Sequence, residues 1–519
     1  VVEIAPPGDV AGILDVLNMH GYEAYAVGGC IRDAVMGREP KDWDIATDAR
    51  PEEVGRLFEK TVDTGIRHGT VTVVIGNRNY EVTTFRIDGR YTDSRHPEKV
   101  EFTSRIGDDL RRRDFTVNAM AWNPQKGIID PFGGMRDISG RIIRTVGKPS
   151  DRFGEDALRM LRAIRFAATL GFEIEADTLE GIRQSSSLIR RISAERIREE
   201  LTGILVSDDP MRFMLLMDTG LLRHIMPELD SRLGPNSDRT GHDSLSETGK
   251  HILRSVAAAE ADVCLRWAML LHDAGRCTDA ENFEGLSDAH GSKDHKDYEE
   301  CGRSGGPGAA DALKTADTIL GRLKFDNRNR SRILRIIRYL GMETEPERSA
   351  VARAVLEVGR DMFGDLLKAK RAHIAASMHR CGSIVSSVIP GVSRRPDRMK
   401  SIKGGQYRDT DDLNTTTGRH YEDDGRNIAE DLYQLEKIET VFRSLLEGGY
   451  CLSLKELKIN GDDLKRLGFR EGAEMGRMLD HLLDRVIDEP ELNRKEALEK
   501  LALEYLHKKR ISSQQTGET

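Results

Sequence analysis

Two aspartates one residue apart, Asp42 and Asp44 on either side of Trp43, form the pair with the clearest chemical potential in the chain. On an extended strand, positions i and i+2 face the same way, so the two carboxylates would stand side by side. Adjacent hard carboxylates repel unless a divalent cation neutralises them. A pair of Mg²⁺ ions there would bind a nucleoside triphosphate and lower the pKa of an attacking hydroxyl. Twelve residues separate Asp42 from Gly28-Gly29, which precede a predicted helix. The glycines let the backbone approach a phosphate closely, and a helix N-terminus favours anions. Arg32, in the first turn, can reach the same phosphates. Glu81, or a neighbour on the Tyr80–Arg86 strand, is a candidate third carboxylate ligand, and a structural role suits it equally.

A second set of charges recurs every three residues: Asp156, Arg159, Arg162 and Arg165. On one predicted helix they form a slanting stripe. Taken alone, the stripe fits a solvated, ion-paired helix face.

The order of Gly28-Gly29, Arg32, Asp42 and Asp44 resembles the nucleotidyltransferase superfamily that includes DNA polymerase beta. The likeness narrows further along. Gly28-Gly29-Cys30-Ile31-Arg32-Asp33 with Lys41-Asp42-Trp43-Asp44-Ile45-Ala46-Thr47 resembles the head motif of bacterial tRNA nucleotidyltransferases, the CCA-adding enzymes. Arg112-Arg113-Asp114-Phe115-Thr116-Val117-Asn118-Ala119 resembles their second motif. Asp130-Pro131-Phe132-Gly133-Gly134, Glu155-Asp156-Ala157-Leu158-Arg159 and Ser193-Ala194-Glu195-Arg196 resemble the third, fourth and fifth. The resemblance implies Asp42 and Asp44 as catalytic residues and ligands of two Mg²⁺ ions. It implies nucleotide contacts from Gly28, Gly29, Arg32, Arg113, Asp114 and Asn118. It assigns base choice to Asp156 and Arg159. A carboxylate accepts from the exocyclic amine of cytosine or adenine, whereas a guanidinium only donates. Uracil and guanine put a carbonyl in that place, so two side chains could admit C and A without a template strand. Arg162 and Arg165 are then phosphate or ribose contacts, or struts within a neck.

Two further features bear on activity. The polar segment Asp88–Pro97 corresponds to a loop that this family links to the switch from C to A addition, which favours full CCA addition. Gly65-Ile66-Arg67-His68-Gly69-Thr70 differs from the stretch found in bacterial poly(A) polymerases. The implied reaction is template-free addition of C, C and A to the tRNA 3′ end from CTP and ATP. The partner is the tRNA acceptor arm, with no membrane and no DNA. A CC-only or A-only enzyme, then a poly(A) polymerase, are the enzymatic alternatives. A non-catalytic RNA-binding scaffold is the alternative of another class.

Arg266–Gly275, with adjacent His272 and Asp273, resembles the core of an HD domain, a helical metal-dependent phosphohydrolase module. His251 suits its first histidine, and His290 or His295 could add a ligand. His373 stands where that family has aspartate. The metal candidates here are His251, His272 and Asp273. An imidazole in place of a carboxylate removes a hard oxygen and a charge, so a transition metal would suit the site better than Mg²⁺. A degenerate helical spacer and an inactive metal site are both compatible with the substitution.

These groups need a scaffold. With 519 residues the chain has room for three or four domains, and its 5% aromatic content argues against a sandwich or propeller. A net charge of −8 excludes coating nucleic acid by bulk charge, though not a local basic face. Six scattered cysteines without a C-x-x-C pair fit reduced thiols, and no secretory signal is visible, so a cytoplasmic setting is expected. Val10–His20 is amphipathic, Val71–Ile75 and Val82–Phe85 are β-branched runs, and helical patterns dominate from Asp151. Ala157–Leu170, Ala194–Val206 and Met211–His224 read as helices, with a boundary marked by Pro227 and the polar Asp230–Gly241 stretch. The expected fold class is α+β. A polymerase-beta-like nucleotidyltransferase head with a small sheet (1–148) precedes an all-α neck (149–235) and an HD-like helical domain (236–379). A disordered linker (380–425) and a helical tRNA-binding tail (426–511) complete it. The Asp279–Gly308 insert reads as a mobile loop, and the basic Arg394–Arg408 run as part of the linker.

Overall fold

The computed structural model describes residues 4–65, 69–89, 100–234, 245–275, 309–377 and 418–515. The chain opens with α1 (Gly8–Met19), β1 (Ala24–Val27), α2 (Gly29–Val35), β2 (Asp44–Thr47), α3 (Pro51–Leu57), β3 (Thr61–Gly65), β4 (Thr70–Ile75) and β5 (Arg78–Thr84). A short hairpin, β6 (Arg86–Asp88) with β7 (Val100–Phe102), and α4 (Ile106–Arg111) come next. They lead to β8 (Ala121–Asn123), β9 (Gly127–Ile129) and α5 (Gly134–Gly140). Seven of these strands make one mixed sheet in the order β3-β4-β5-β2-β1-β8-β9, with β2 and β5 its parallel neighbours. Val10, Ile13, Leu14 and Leu17 of α1, Ile31 of α2 and Val54 of α3 pack on one face against Ile45, Val71, Val73 and Val82. On the other face Leu110 of α4 packs with Tyr25, Val27, Ala46 and Phe85.

Helices then take over: α6 (Pro149–Glu155), α7 (Leu158–Leu170), α8 (Ala176–Ser185), α9 (Ala194–Leu205), α10 (Met214–Asp218), α11 (Leu222–Ile225) and α12 (Pro227–Leu233). The expected Met211–His224 helix is broken, because Gly220 at φ +72° interrupts it. Pro227, one of the two expected boundary marks, opens a helix. It is the first residue of α12, where proline's missing N–H costs nothing. The body continues with α13 (Glu247–Ala258), α14 (Val263–Leu271), α15 (Ala309–Arg322), α16 (Asn327–Tyr339), α17 (Arg348–Val358) and α18 (Arg360–Ser377). The last part holds α19 (Gly418–Glu447), α20 (Gly461–Arg466), α21 (Ala473–Asp488) and α22 (Lys495–Gln515). Helix α19 begins at Gly418, inside the expected linker, so residues 418–425 are helical rather than linker.

Two helical cores result. One runs without a break from Phe115 through α7, α9, α13, α14 and α16 to Ala369 and Ala372 of α18, so neck and body share it. The other joins α17 and the Phe363–Leu367 turn of α18 to α19, α21 and α22. Each fully buried Leu, Ile or Phe in them contributes roughly 1.5–3 kcal/mol. Among the described residues, no helix is long and apolar enough to cross a membrane. The insert at 279–308, the basic run at 394–408 and residues 90–97 of the switch loop lie outside the described residues.

Candidate active site

Register puts the acids beside the glycines. β1 pairs antiparallel with β2 so that Val27 opposes Asp44, and the Gly28 turn therefore leaves β1 next to that carboxylate. Asp42 lies just ahead of β2 rather than in it. Trp43 is buried between the two acids, and both acids are exposed, as alternation requires. Surrounding protein desolvates the Asp44 carboxylate and raises its pKa; Arg113 opposes this and Asp42 adds to it. Glu81 precedes Val82, the partner of Ile45, and so stands beside Asp44 on the same sheet face. The three acids do not converge as a ligand cluster.

Gly28 has φ +83°, and a Cβ there would sit 2.6 Å from Arg113 Nη1. Glycine is needed both for the turn and for that approach. Arg113 is held by Asp109, a buried acid 3.5 Å away that also takes Arg112 at 2.8 Å. The buried Nε–H of Arg113 has no acceptor among the described residues. Cys30 is no nucleophile: burial, then the charge of Asp44, pushes its thiol to about 12, and its S–H donates to the Val27 carbonyl.

Behind the glycines a chain of side chains runs from head to neck. Arg32 Nη1 donates to Asn118 Oδ1 at 2.6 Å, and Asn118 Nδ2 donates to Asp114 Oδ1 at 3.2 Å. Arg162 of α7 donates to Asp114 Oδ2 at 2.8 Å, and lies 3.8 Å from Glu200, which also pairs with Arg165 at 2.5 Å. Burial alone would raise the Asp114 pKa, but the guanidiniums of Arg162 and Arg159 and these hydrogen bonds hold it down at about 2. The guanidiniums of Arg32, Arg162 and Arg165 also gather on the Phe166 ring, at 5.3, 5.3 and 4.4 Å from its centre. Sequence reasoning named Asn118 but missed Glu200 and Phe166.

Asp156 is not on the helix with the three arginines. It sits in the break between α6 and α7, where its Oδ1 accepts from Leu158 N–H at 3.0 Å. Arg196 grips both of its oxygens, at 2.8 and 3.4 Å. Arg159 is buried, pairs with Glu155 at 2.5 Å and donates to the Arg112 carbonyl at 3.0 Å. Asp130 caps α5 by accepting from Gly134 and Met135 N–H, and a side chain at Gly134 would strike the Thr116 carbonyl. The third motif thus supports the Thr116–Asn118 turn.

In the body, His251, His272 and His373 each place a ring nitrogen within 4.8 Å of the others. Asp273 is outside this group and pairs with Arg232 at 3.0 Å. His290 and His295 fall outside the described residues.

Comparison with known proteins adds relatives to this geometry. The family described as "Poly A polymerase head domain" matches residues 24–144. That described as "Probable RNA and SrmB- binding site of polymerase A" matches residues 171–233. The CCA-adding enzyme of Geobacillus kaustophilus is 51% identical over 222 residues, 42% of this chain and 55% of that protein. The Geobacillus thermodenitrificans enzyme is 44% identical over 278 residues, 52% of this chain and 64% of the relative. The chain thus spans little more than half the length of the curated relatives it matches. Among solved structures, the Bacillus stearothermophilus CCA-adding enzyme in complex with CTP is 28% identical with a TM-score of 0.65, covering 98% of this chain and 100% of that one.

Proposed function

We propose that this chain, which is similar to the bacterial CCA-adding enzymes in its head and neck, adds C, C and A in turn to the tRNA 3′ end, using CTP and ATP. The observation that carries this reading is the register of Val27 with Asp44, which sets the glycine turn and Arg113 against the paired acids. The terminal 3′-hydroxyl attacks the α-phosphate; the new P–O bond forms as the α–β bridging bond breaks, and pyrophosphate leaves. The exposed carboxylates of Asp42 and Asp44 are hard oxygen donors that suit a divalent cation, and two Mg²⁺ ions held there would acidify that hydroxyl and neutralise the phosphates. Gly28 and Gly29 let the triphosphate close on the backbone, while Arg32 and Arg113 orient it.

Asp156 and Arg159 read the base edge. Arg196 holds the Asp156 carboxylate in one orientation, and Leu158 N–H takes a further lone pair, leaving it an acceptor for one amine. Arg162 acts as a strut that ties the neck to the head through Asp114, and Arg165 braces the neck internally through Glu200. The test is a tRNA lacking its 3′ end, offered labelled CTP alone, ATP alone and both. Two C residues from CTP and a single terminal A only when both are present are expected. A run of A from ATP alone, or no incorporation, overturns the reading.

A further inference from the structure

Three cations converge on one neck residue that carries no polar side-chain atom. Arg162 and Arg165 precede Phe166 on α7, and Arg32 reaches its ring from α2 of the head. The ring is buried, and Phe115 of the head meets it at 82°, with centres 5.8 Å apart. Acids offset the charge of the two neck arginines: Asp114 at 2.8 Å from Arg162, and Glu200 at 2.5 Å from Arg165. Arg32 is secured within the head. Asp33 accepts from its Nε–H and pairs with Nη2 at 2.8 Å, and Asn118 accepts from Nη1. A guanidinium has five N–H groups, and those beyond these three have no acceptor among the described residues. Both terminal nitrogens lie beside the glycine turn: a Cβ at Gly29 would stand 3.6 and 3.8 Å from them. From the neck, Arg32 receives the Phe166 ring.

We infer that Phe166 is a positioning residue for nucleotide addition: its ring holds the Arg32 guanidinium in place to grip a triphosphate, and fixes α7 against the head. The inference rests on Arg32 as a triphosphate contact of the proposed reaction. An aromatic ring is negative on its faces, so it attracts a cation that an aliphatic side chain of like size would not. Here it also stands among three guanidiniums that would otherwise repel one another. Burial strengthens the attraction, because little water competes. The same helix bears Arg159 about two turns before Phe166. One ring thereby sets the distance between the triphosphate grip of the head and the base-reading end of α7. CTP and ATP carry the same triphosphate, so the ring serves both alike.

Phe166 is replaced in the full chain by mono-, di- and trifluorinated phenylalanine, which drains charge from the ring faces in steps while nearly keeping its shape. Equilibrium dialysis gives Kd for CTP and for ATP, and nucleotide incorporation is measured beside it. A graded rise in both Kd values is expected, reaching about fivefold for the trifluorinated chain. Tm and circular dichroism check the fold. Phe166→Leu, similar in bulk but without a π face, should weaken both nucleotides by at least as much. In Arg32→Gln the fluorination series should go flat, since the cation it acts on is gone. Kd values that ignore fluorination while Arg32 is present overturn the inference and leave a ring that only fills space. A rise for one nucleotide alone, or a rise that persists in Arg32→Gln, also overturns it. Graded Kd values in a chain that does not add C, C and A uphold this inference and sink the proposed reaction; flat values in a chain that does add them do the reverse.

Discussion

Single side chains at the head and neck have separable jobs. Asp42→Ala or Asp44→Ala should reduce both C and A addition by at least about 10²-fold while tRNA affinity stays near wild type, because these acids face solvent and not a protein partner. Filter binding beside nucleotide incorporation reads both quantities, and substantial turnover with Mg²⁺ removes the acids from catalysis. Asp156→Ala should relax base choice, since a base-edge contact is worth about 1–3 kcal/mol of discrimination. Arg196→Ala should move UTP and GTP incorporation the same way by a smaller factor, as the carboxylate remains but loses its grip. Unchanged selectivity in both places base reading elsewhere. Asp114 carries a pH signature. Its folded pKa of about 2 lies below the ordinary carboxylate value of about 3.9, so its contribution is present above about pH 4 and fades as pH falls towards 2. Asp114→Asn should therefore lower Tm at pH 7, and the gap to wild type should narrow in melts run down to pH 3. At this scale the motif residues were legible because their chemistry constrains their type. Their partners were not: nothing in spacing tells that Arg196 holds Asp156, or that Arg162 meets Asp114, since those pairs form between separate elements.

Elements were legible where periodicity was long, as in α1, α9 and the β4–β5 hairpin. They were hidden where tertiary burial replaces pattern. β1 is four residues buried on both faces, so it shows no alternation. The break at Asp156 was hidden by a three-residue charge period that continued across it. The third motif makes sense at this scale. Gly134→Ala should press on the Thr116 carbonyl and Met120, costing about 1–3 kcal/mol as overpacking does, and should displace Asn118 from Arg32. Thermal denaturation together with KM for CTP checks it; a variant with wild-type Tm and KM would show that α5 shifts freely.

Over the whole molecule the two helical cores matter more than the boundaries that composition suggested. Neck and body share one core. The tail's core starts at α17 rather than at the return of helical periodicity. The reason is that apolar faces of α17 and α18 are indistinguishable in sequence from those of the body helices, and only packing shows which neighbours they take.

Helix α18 gives its first turns to the tail and its later turns to the body. The consequence is that the chain resists being cut into modules. A fragment beginning at Asn427 would lack the α17 and α18 side of its own core and should stay unfolded on its own. One beginning at Arg348 would fold, but would expose Ala369 and Ala372 and strip the body of the same helix. Swapping tails between relatives should therefore succeed only when α17 and α18 travel with the tail and the body residues facing Ala369 and Ala372 are matched to them.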